Sequence, residues 1–489
     1  MEKYIAKKRT TKIQKNLLNS PDIVVRELVC GGKNISVIFI DEIANQEEIN
    51  KNILSPILST QEKEISLKVL QEKVVSLCNS EKIKEKDAED KILRGFTILF
   101  LDGEESALCY NTVMYATRSV EEPPTSTVIK GPREGFVELL KTNVNLVRKR
   151  LPDKNLKIEE MIVGERSKTK IDLIYFNDLV DKKIVAEIKR KLKNNKIDGV
   201  IDSYYIIKFL EDRPNSIFRQ IGSCEKPDIA CAKILEGRVL ILVDGSPIAL
   251  TVPFILFEDF QSENDYYSAE THRVTLLRII RVVGLLVAIL FPGLYIALQI
   301  YHYKVLPLKF LTTIIITTQN LPLNPFLEIF FIIVLFDILF EASIRMPKYL
   351  GMAISIVGAL ILGDTAVKAG LVSPPAVMIV AMSAITVYII PNQSSQISIL
   401  RIAFVIIGGT LGFHGIVLGM FFLINYLCNI DCFGTPYLAP YAPYILNDQK
   451  DFIVKDILLN QKSRPESIPI NRKNTTRLKV KDDKSKKEN

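Results

Sequence analysis

The chain has 489 residues, enough for about three domains, and carries a formal net charge of +8. Its hydrophobic content of 48% averages two unlike parts, since roughly the first 270 residues are charged whereas residues 274–428 carry long apolar runs. Apolar runs of about 20 residues are long enough to cross a membrane. The composition therefore argues against a soluble enzyme and indicates a receptor, channel or transporter with a large soluble head.

Residues 1–19 are predicted to form a basic tail, and no apolar core of a secretory signal follows them. We therefore expect the head to stay on the cytosolic side. The cysteines of the head are widely spaced and form no C-x-x-C pair, which fits reduced thiols that serve as small core residues. Next to membrane spans, the basic tails at both ends of the chain are expected to contact membrane lipids and no nucleic acid.

The head contains an internal repeat. Residues 35–45 are echoed by residues 171–181, and each stretch reads as an apolar strand followed by a capped helix start. Residues 98–108 are echoed by residues 240–250, and each contains Asp-Gly between two apolar runs. Asp-Gly in this setting predicts a hairpin whose two turn residues both have positive φ. Each unit therefore reads strand, helix, helix, hairpin.

The predicted fold class is an α/β cytosolic head of two tandem related subdomains, followed by an all-α multi-span membrane domain. The expected boundaries follow the repeat and the change in hydropathy. They are a basic N-terminal tail at 1–19, subdomain 1 at 20–118, a linker and helix at 119–159, subdomain 2 at 160–268, the transmembrane domain at 269–445 and a basic C-terminal tail at 446–489.

Motifs for catalysis are scarce. Gly31-Gly32-Lys33 lacks the spacing of a phosphate-binding Walker A loop. The three histidines, His272, His302 and His414, are far apart in sequence and suggest neither a zinc cluster nor a Ser-His-Asp set. We therefore expect no enzyme activity, no cofactor and no metal.

The membrane domain is predicted to open with a basic amphipathic helix at 271–281, suited to the headgroup layer. A first span runs to about residue 300, and further spans are predicted at about 325–343, 349–365, 371–391 and 401–428. The apolar piece at 308–320 is too short to cross and could be re-entrant. Five crossings would place the basic C-terminal tail outside the cell. Either the piece at 308–320 crosses, then, or the glycine-rich final segment does not, and we favour an even number of crossings.

Ionisable residues within these spans are the candidate site. Asp337 and Glu341 lie one turn apart on one helix, and so do Asp364 and Lys368. A charge at membrane depth costs roughly 3 kcal/mol and usually faces a bundle interior, a water path or a partner. We predict that these four residues contribute to an ion path or its gate, and that Gly358 and Gly363 allow close helix packing. Asp364 and Lys368 could equally form a structural pair.

Several long motifs resemble the A subunit of spore germinant receptors. They are PDIACAKILEGRVLILVDGSPIALTVP at 227–253, which continues into EDFQSENDYY at 258–267, KGPREGFVE at 130–138 with residues 143–150, and PNQSS at 391–395. They occur in the family's order, and the resemblance covers roughly residues 20–445.

The resemblance implies a multi-pass protein of the spore inner membrane whose N-terminal head faces the spore core. It also implies partners, namely a transporter-like B subunit that holds the nutrient and a lipoprotein C subunit. It further implies that the chain forms homo-oligomers that act as a ligand-gated cation channel at the start of germination. The family supplies no catalytic set to carry over.

Two other functions fit the same sequence. The chain could be a non-conducting scaffold that couples the B subunit to downstream factors, or it could be a secondary transporter for the nutrient. The spans show no evident inverted repeat, which makes the transporter less attractive.

Overall fold

The structure is a computed structural model that describes residues 5–41, 43–60, 65–75, 80–114, 131–267, 270–345, 363–457 and 460–471. The chain divides into two compact units. The head consists of Met1–Ile255 with Asp431–Thr435 and Leu459–Asn489, and the helical body consists of Leu256–Ile430 with Pro436–Leu458.

The first sheet of the head has five antiparallel strands in the spatial order β1-β2-β4-β5-β3. The strands are β1 (Ile23–Cys30), β2 (Lys33–Ile40), β3 (Ser80–Ile83), β4 (Thr97–Leu101) and β5 (Ala107–Tyr110). The helices around it are α1 (Ala6–Asn16), α2 (Gln46–Ile49), α3 (Ser55–Ser59), α4 (Leu67–Val69) and α5 (Glu85–Leu93), with π-helical turns at Asn50–Leu54 and Leu70–Val74.

The second sheet has the order β6-β7-β9-β10-β8, again antiparallel throughout, so the two sheets share one topology. Its strands are β6 (Leu156–Val163), β7 (Thr169–Phe176), β8 (Gly222–Cys224), β9 (Val239–Val243) and β10 (Ala249–Val252). Its helices are α6 (Leu140–Arg150), α7 (Lys182–Asn194), α8 (Ser203–Leu210) and α9 (Pro227–Leu235). A short ladder joins β11 (Asp431–Cys432) to β12 (Thr435–Pro436).

Each sheet is covered on both faces, which explains why its central strands are apolar throughout. On β4, Leu99 packs into one hydrophobic cluster and Ile98 into another, because successive side chains point to opposite faces. The predicted helix starts are capped as expected. The Asn45 side chain accepts a hydrogen bond from the Glu48 N–H, and the Asp181 side chain accepts one from the Lys183 N–H.

The head differs from its predicted pattern in three respects. Residues 6–16, expected within a basic N-terminal tail, form α1, and Ala6 and Ile13 of this helix are buried against the first sheet.

The other two differences concern the strands. The predicted strand at 35–41 is the second strand of a hairpin. The first strand, β1, was not predicted, because it is an edge strand and Arg26 and Glu27 interrupt its apolar run. The Asp-Gly hairpins are present, but only Gly103 and Gly245 have positive φ, at 84° and 85°. Five residues separate the paired strands in each hairpin, so the geometry of a two-residue turn is not required.

The body is helical. Its helices are α10 (Glu263–Tyr267), α11 (Thr271–Tyr301), α12 (Leu308–Thr318), α13 (Pro325–Arg345), α14 (Pro374–Val387) and α15 (Ser394–Cys428), with a helical stretch at 363–368 and 3₁₀ turns at Leu256–Phe260, Tyr303–Val305, Pro391–Gln393 and Asn447–Lys450. Two of the described helices, α11 and α15, are long and apolar enough to cross a membrane. Most of the span predicted at 349–365 lies outside the described residues.

Helix α15 turns back on itself at Gly412, where φ is 63° and ψ is −151°. Phe404 and Gly419 are 15 residues apart, which in a straight helix means about 22 Å. Yet a Cβ built on Gly419 would lie 3.0 Å from the Phe404 ring. Residues 394–411 and 413–428 are therefore two antiparallel arms, in contrast to the single final span predicted at 401–428.

Neighbouring helices fix the direction of the arms. The Ser383 hydroxyl donates to the Ala288 carbonyl at 2.7 Å, and Gly284 lies beside Thr386, so α14 runs antiparallel to α11. The first arm of α15 runs parallel to α11, because Phe404 lies against Gly293 whereas residues 409–412 lie against Tyr301.

The C-terminal segment of the body returns to the start of α11. The Leu256 N–H donates to the Tyr437 carbonyl at 3.0 Å, and the Lys455 N–H donates to the Thr275 hydroxyl at 3.0 Å. Residues that follow the last helix therefore lie at the same end of the body as the residues that precede the first long one.

Candidate functional site

Asp337, one of the predicted site residues, pairs with Arg401 inside the helical body. Arg401 Nη2 lies 2.6 Å from Asp337 Oδ1 and 3.3 Å from Ser398 Oγ. The Arg401 side chain is 2% exposed and that of Asp337 is 35% exposed. A guanidinium buried among apolar helices needs a carboxylate, since an unpaired charge there costs several kcal/mol. The pair thus joins α13 to the first arm of α15.

A cavity of about 200 Å³ lies beside this pair. Its wall is mostly apolar and aromatic. Asp337 and Arg401 supply its charges, and its hydroxyl groups come from Tyr388, Ser394 and Ser398. Asp337 is half-buried, whereas Arg401, which also lines the cavity, is almost fully buried. Arg401 Nε is buried and finds no hydrogen-bond partner among the described residues. The charge balance at this site therefore rests on a single nitrogen of the guanidinium group and one carboxylate.

The other predicted charges form local pairs. Glu341 Oε1 lies 2.6 Å from Arg345 Nη2, and Asp364 Oδ2 lies 2.6 Å from Lys368 Nζ, each pair being one helical turn apart. These side chains are 54–77% exposed in the chain. Within the described part of the body, no hydrogen bond or ion pair links Asp337 to Asp364 or to Glu341. The structure therefore places the four predicted residues at three separate positions.

The predicted packing glycines are not where the closest described helix contact occurs. Gly358 lies outside the described residues, and a Cβ on Gly363 would make only an ordinary contact, 3.7 Å from Val377 Cγ1. Instead, Gly293 of α11 and Gly408 of α15 meet backbone to backbone, and a Cβ on either would overlap the other helix. Glycine allows this approach because it has no side chain.

A second buried charge cluster was not anticipated. Asp265 of α10 accepts hydrogen bonds from Arg281, at 2.7 and 3.2 Å, and from Arg278 Nε at 3.2 Å. Arg278 also donates to the carbonyls of Asp451 and Phe452, and the Lys455 ammonium donates to the Asp265 carbonyl. Burial lowers the pKa of Lys455.

This cluster corrects the interpretation of residues 271–281 as a headgroup-facing basic helix for two of its basic residues, whereas Arg273 is 69% exposed. Arg278 and Arg281 are 3% and 12% exposed, so they are not available to lipid headgroups. One feature of the sequence indicates such a cluster, namely that Arg278 and Arg281 lie three residues apart on an otherwise apolar helix. It could not identify the acceptors, because the C-terminal carbonyls are 173 and 174 residues away.

An α/β head of two sheets and a helical body with charged residues buried among apolar helices define a membrane-associated protein class. The profile of the family described as Bacillus/Clostridium GerA spore germination protein matches residues 11–467. The chain belongs to this family, and the resemblance predicted from its motifs is confirmed.

Several curated relatives are similar over most of the chain. Spore germination protein KA of Bacillus subtilis (strain 168) is 32% identical over 94% of this chain and 86% of its own length. Spore germination protein B1 of the same strain is 34% identical over 88% of this chain and 89% of its own length. Spore germination protein GerLA of Bacillus cereus is 32% identical over 92% and 93%.

One solved structure is also similar, the N-terminal domain of the A subunit of the Bacillus megaterium spore germinant receptor GerK3. It is 26% identical, with a TM-score of 0.42, over 52% of this chain and 97% of that chain.

Proposed function

We propose that this chain is the A subunit of a nutrient germinant receptor in the spore inner membrane. In this proposal it forms homo-oligomers, and its helical body contributes a ligand-gated path for monovalent cations whose opening starts germination. The observation that carries the proposal is the Asp337–Arg401 pair, which lies beside a cavity in a member of the GerA family. Membership of that family supports the role in germination, and the buried pair supports the ion path.

The pair can act as a gate for a simple electrostatic reason. A carboxylate on a cavity wall attracts cations, but its charge is cancelled while Arg401 stays at 2.6 Å. Moving Arg401 away would leave a negative wall that favours cations over anions. We infer that the paired state is closed and that a signal from partner subunits separates the pair. Glu341 and Asp364, with Arg345 and Lys368, would flank the path.

The proposed topology has an even number of crossings, with the head on the cytosolic, spore-core side. Two features of the body support it. The final segment reverses at Gly412, and the C-terminal segment packs against the start of α11. Both support an end of the body on the side where it begins, and the basic C-terminal tail supports the same side.

We further propose that the two halves of the head arose by duplication, at the boundaries expected from the repeat. The shared strand order of the two sheets supports this. The head would then transmit or assemble rather than catalyse, and its partners would be a transporter-like B subunit and a lipoprotein C subunit.

The decisive experiment is to record conductance in planar bilayers from the purified chain, alone and together with its B and C partners. We expect a cation-selective current. Asp337→Asn should lower the selectivity for cations over anions several-fold. Glu270→Gln, at an exposed position before α11, should leave this selectivity unchanged. In spores, Asp337→Asn, Glu341→Gln and Asp364→Asn should each slow cation release. If the wild-type protein conducts nothing in the presence of its B and C partners, the channel proposal fails.

A non-conducting scaffold is the second candidate. The scaffold function is favoured by the ion pairs of Glu341 with Arg345 and of Asp364 with Lys368, which are exposed. In each pair the carboxylate charge is neutralised by a basic residue one helical turn away. Under this alternative, removing these charges leaves cation release and germination kinetics unchanged. Failure of radiolabelled nutrient to enter liposomes would argue against the remaining alternative, a transporter.

A further inference from the structure

Glu328 is a buried carboxylate in the first turn of α13 that takes no part in the Asp337–Arg401 pair. It is 1% exposed. Its Oε1 accepts a hydrogen bond from the N–H of Ser373, the N-cap of α14. Its Oε2 is buried and has no hydrogen-bond partner among the described residues. Burying a carboxylate oxygen without a hydrogen-bond partner costs free energy, so we expect a further positively charged partner at this site.

The groups around Glu328 are oxygen atoms rather than basic side chains. Tyr295 of α11 lies near enough to interact electrostatically with Glu328 and with the Ser373 side chain, and it is 4% exposed. Its hydroxyl makes no hydrogen bond of good geometry in the described part of the chain. Tyr295 packs in the same apolar cluster as Ile329 and Val372, the neighbours in sequence of Glu328 and Ser373. No lysine, arginine or histidine pairs with Glu328 within the described ranges.

The N-terminus of α14 only partly balances the carboxylate. A helix N-terminus is equivalent to about half a positive charge. The remaining negative charge is less than one unit, which is too little for a divalent ion, since such ions take several carboxylates or water ligands. Transition metals prefer imidazole or thiolate, and the described neighbours of Glu328 include neither. An oxygen-lined site of low charge suits a monovalent alkali cation.

We propose that Glu328 Oε2 and Tyr295 Oη bind a monovalent cation of the Na⁺ or K⁺ type, held between α11, α13 and the start of α14. The bound ion joins these three helices beside the hydrogen bond from the Ser373 N–H to Glu328. This site is separate from the path at Asp337 and does not require that the protein conduct. A protein without conductance could still bind the ion, so failure of the channel proposal leaves this inference standing.

The test measures thermal unfolding of the purified full chain in detergent. KCl or NaCl is titrated against choline chloride at constant ionic strength and pH. A ligand that binds only the folded state raises the melting temperature in a saturable way. We expect this rise for the wild-type protein. Glu328→Gln, which has no charge to balance, should show no dependence on the cation. Tyr295→Phe should require a several-fold higher concentration for the same rise.

Glu270→Gln is the matched control, because Glu270 is an exposed carboxylate before α11 that belongs neither to this site nor to the proposed path. It should keep the full dependence on the cation. If Glu328→Gln does not fold, the shift of the Tyr295→Phe titration decides instead. The proposal is overturned if the wild-type melting temperature is the same in all three salts. If the melting temperature then rises when the three titrations are repeated at a lower pH, a proton balances Glu328.

Discussion

Gly293 and Gly408 bring the backbones of α11 and α15 into direct contact. The carbonyl group of Gly293 occupies the space that a Cβ on Gly408 would need, and the Phe404 carbonyl occupies the space beside Gly293. Since these atoms belong to backbone, they cannot move aside as a flexible side chain could. The crossing of the two helices is therefore set by the absence of two side chains.

Replacing either glycine should loosen this crossing. We expect Gly408→Ala or Gly293→Ala to destabilise the body by about 1–3 kcal/mol, the usual cost of inserting a methyl group into a packed interior. Gly363→Ala is the control, because its nearest neighbour would be at 3.7 Å and alanine favours a helix. Thermal unfolding in detergent measures the three variants. Equal stability of Gly408→Ala and Gly363→Ala would contradict the close approach.

The Asp337–Arg401 pair should behave as a coupled unit. Asp337→Asn leaves the buried guanidinium of Arg401 without its carboxylate, and we expect a loss of about 3–5 kcal/mol, typical of a broken buried pair. The double variant Asp337→Asn with Arg401→Gln should recover much of this loss, because neither charge remains. A double-mutant cycle on unfolding measures the coupling. Arg345→Gln, in an exposed pair, should change stability by less than about 1 kcal/mol. Additive single effects would mean that the two residues are independent.

The reversal at Gly412 predicts the side of the membrane on which α15 ends. Cys428 is exposed at the end of the second arm and should react with a membrane-impermeant maleimide from the same side as a thiol introduced by Glu270→Cys. Labelling in sealed vesicles of known orientation distinguishes the two faces, and Cys428→Ser identifies the labelled thiol. Labelling of Cys428 and of Glu270→Cys from opposite faces would show that α15 crosses once.

The head should lose stability in acid in part through Glu159. Burial raises the pKa of Glu159, but hydrogen bonds from Lys157 and Lys189 outweigh it and hold the pKa below its ordinary value of 4.5. A carboxylate with a lowered pKa stabilises the folded state above about pH 4.5, and this contribution is lost as the pH falls through the folded-state pKa. Glu159→Gln removes it.

We therefore expect Glu159→Gln to lower the melting temperature of the head at pH 7 and to have a smaller effect near pH 3.5. The neighbouring Glu160 is 39% exposed, against 17% for Glu159, and Glu160→Gln serves as the control. Circular dichroism of the full chain at the two pH values measures both variants. A deficit that does not shrink in acid would assign the effect of Glu159 to packing.

Local patterns in the sequence predicted the elements that depend on neighbouring residues. Asp337 stood out because a charge in an apolar helix needs a partner, and the caps at Asn45 and Asp181 follow from side chains that reach N–H groups two or three residues away. The partner Arg401 could not be found in this way, because it is 64 residues distant and also begins an apolar run.

The reversal of α15 at Gly412 could not be predicted from the sequence for a related reason. Glycine can mark a turn, but this segment is rich in glycine, and Gly412 has the same apolar surroundings as the glycines that lie within the two arms. Its turn is satisfied from elsewhere, since the Tyr301 hydroxyl donates to the carbonyls of Gly409 and Thr410 at 3.0 and 3.1 Å. A hydrogen bond across more than one hundred residues leaves no local signal.

The contacts of Arg278 impose an order on the making of this protein. Asp265 precedes Arg278 by 13 residues and can pair with it as soon as α11 emerges from the ribosome. The carbonyls of Asp451 and Phe452 are synthesised only 173 and 174 residues later, after every other helix of the body. The base of the first long helix is thus completed by nearly the last part of the body to be translated. A chain that ends before Lys455 would enter the membrane without the Lys455 contact to Asp265 at the base of α11.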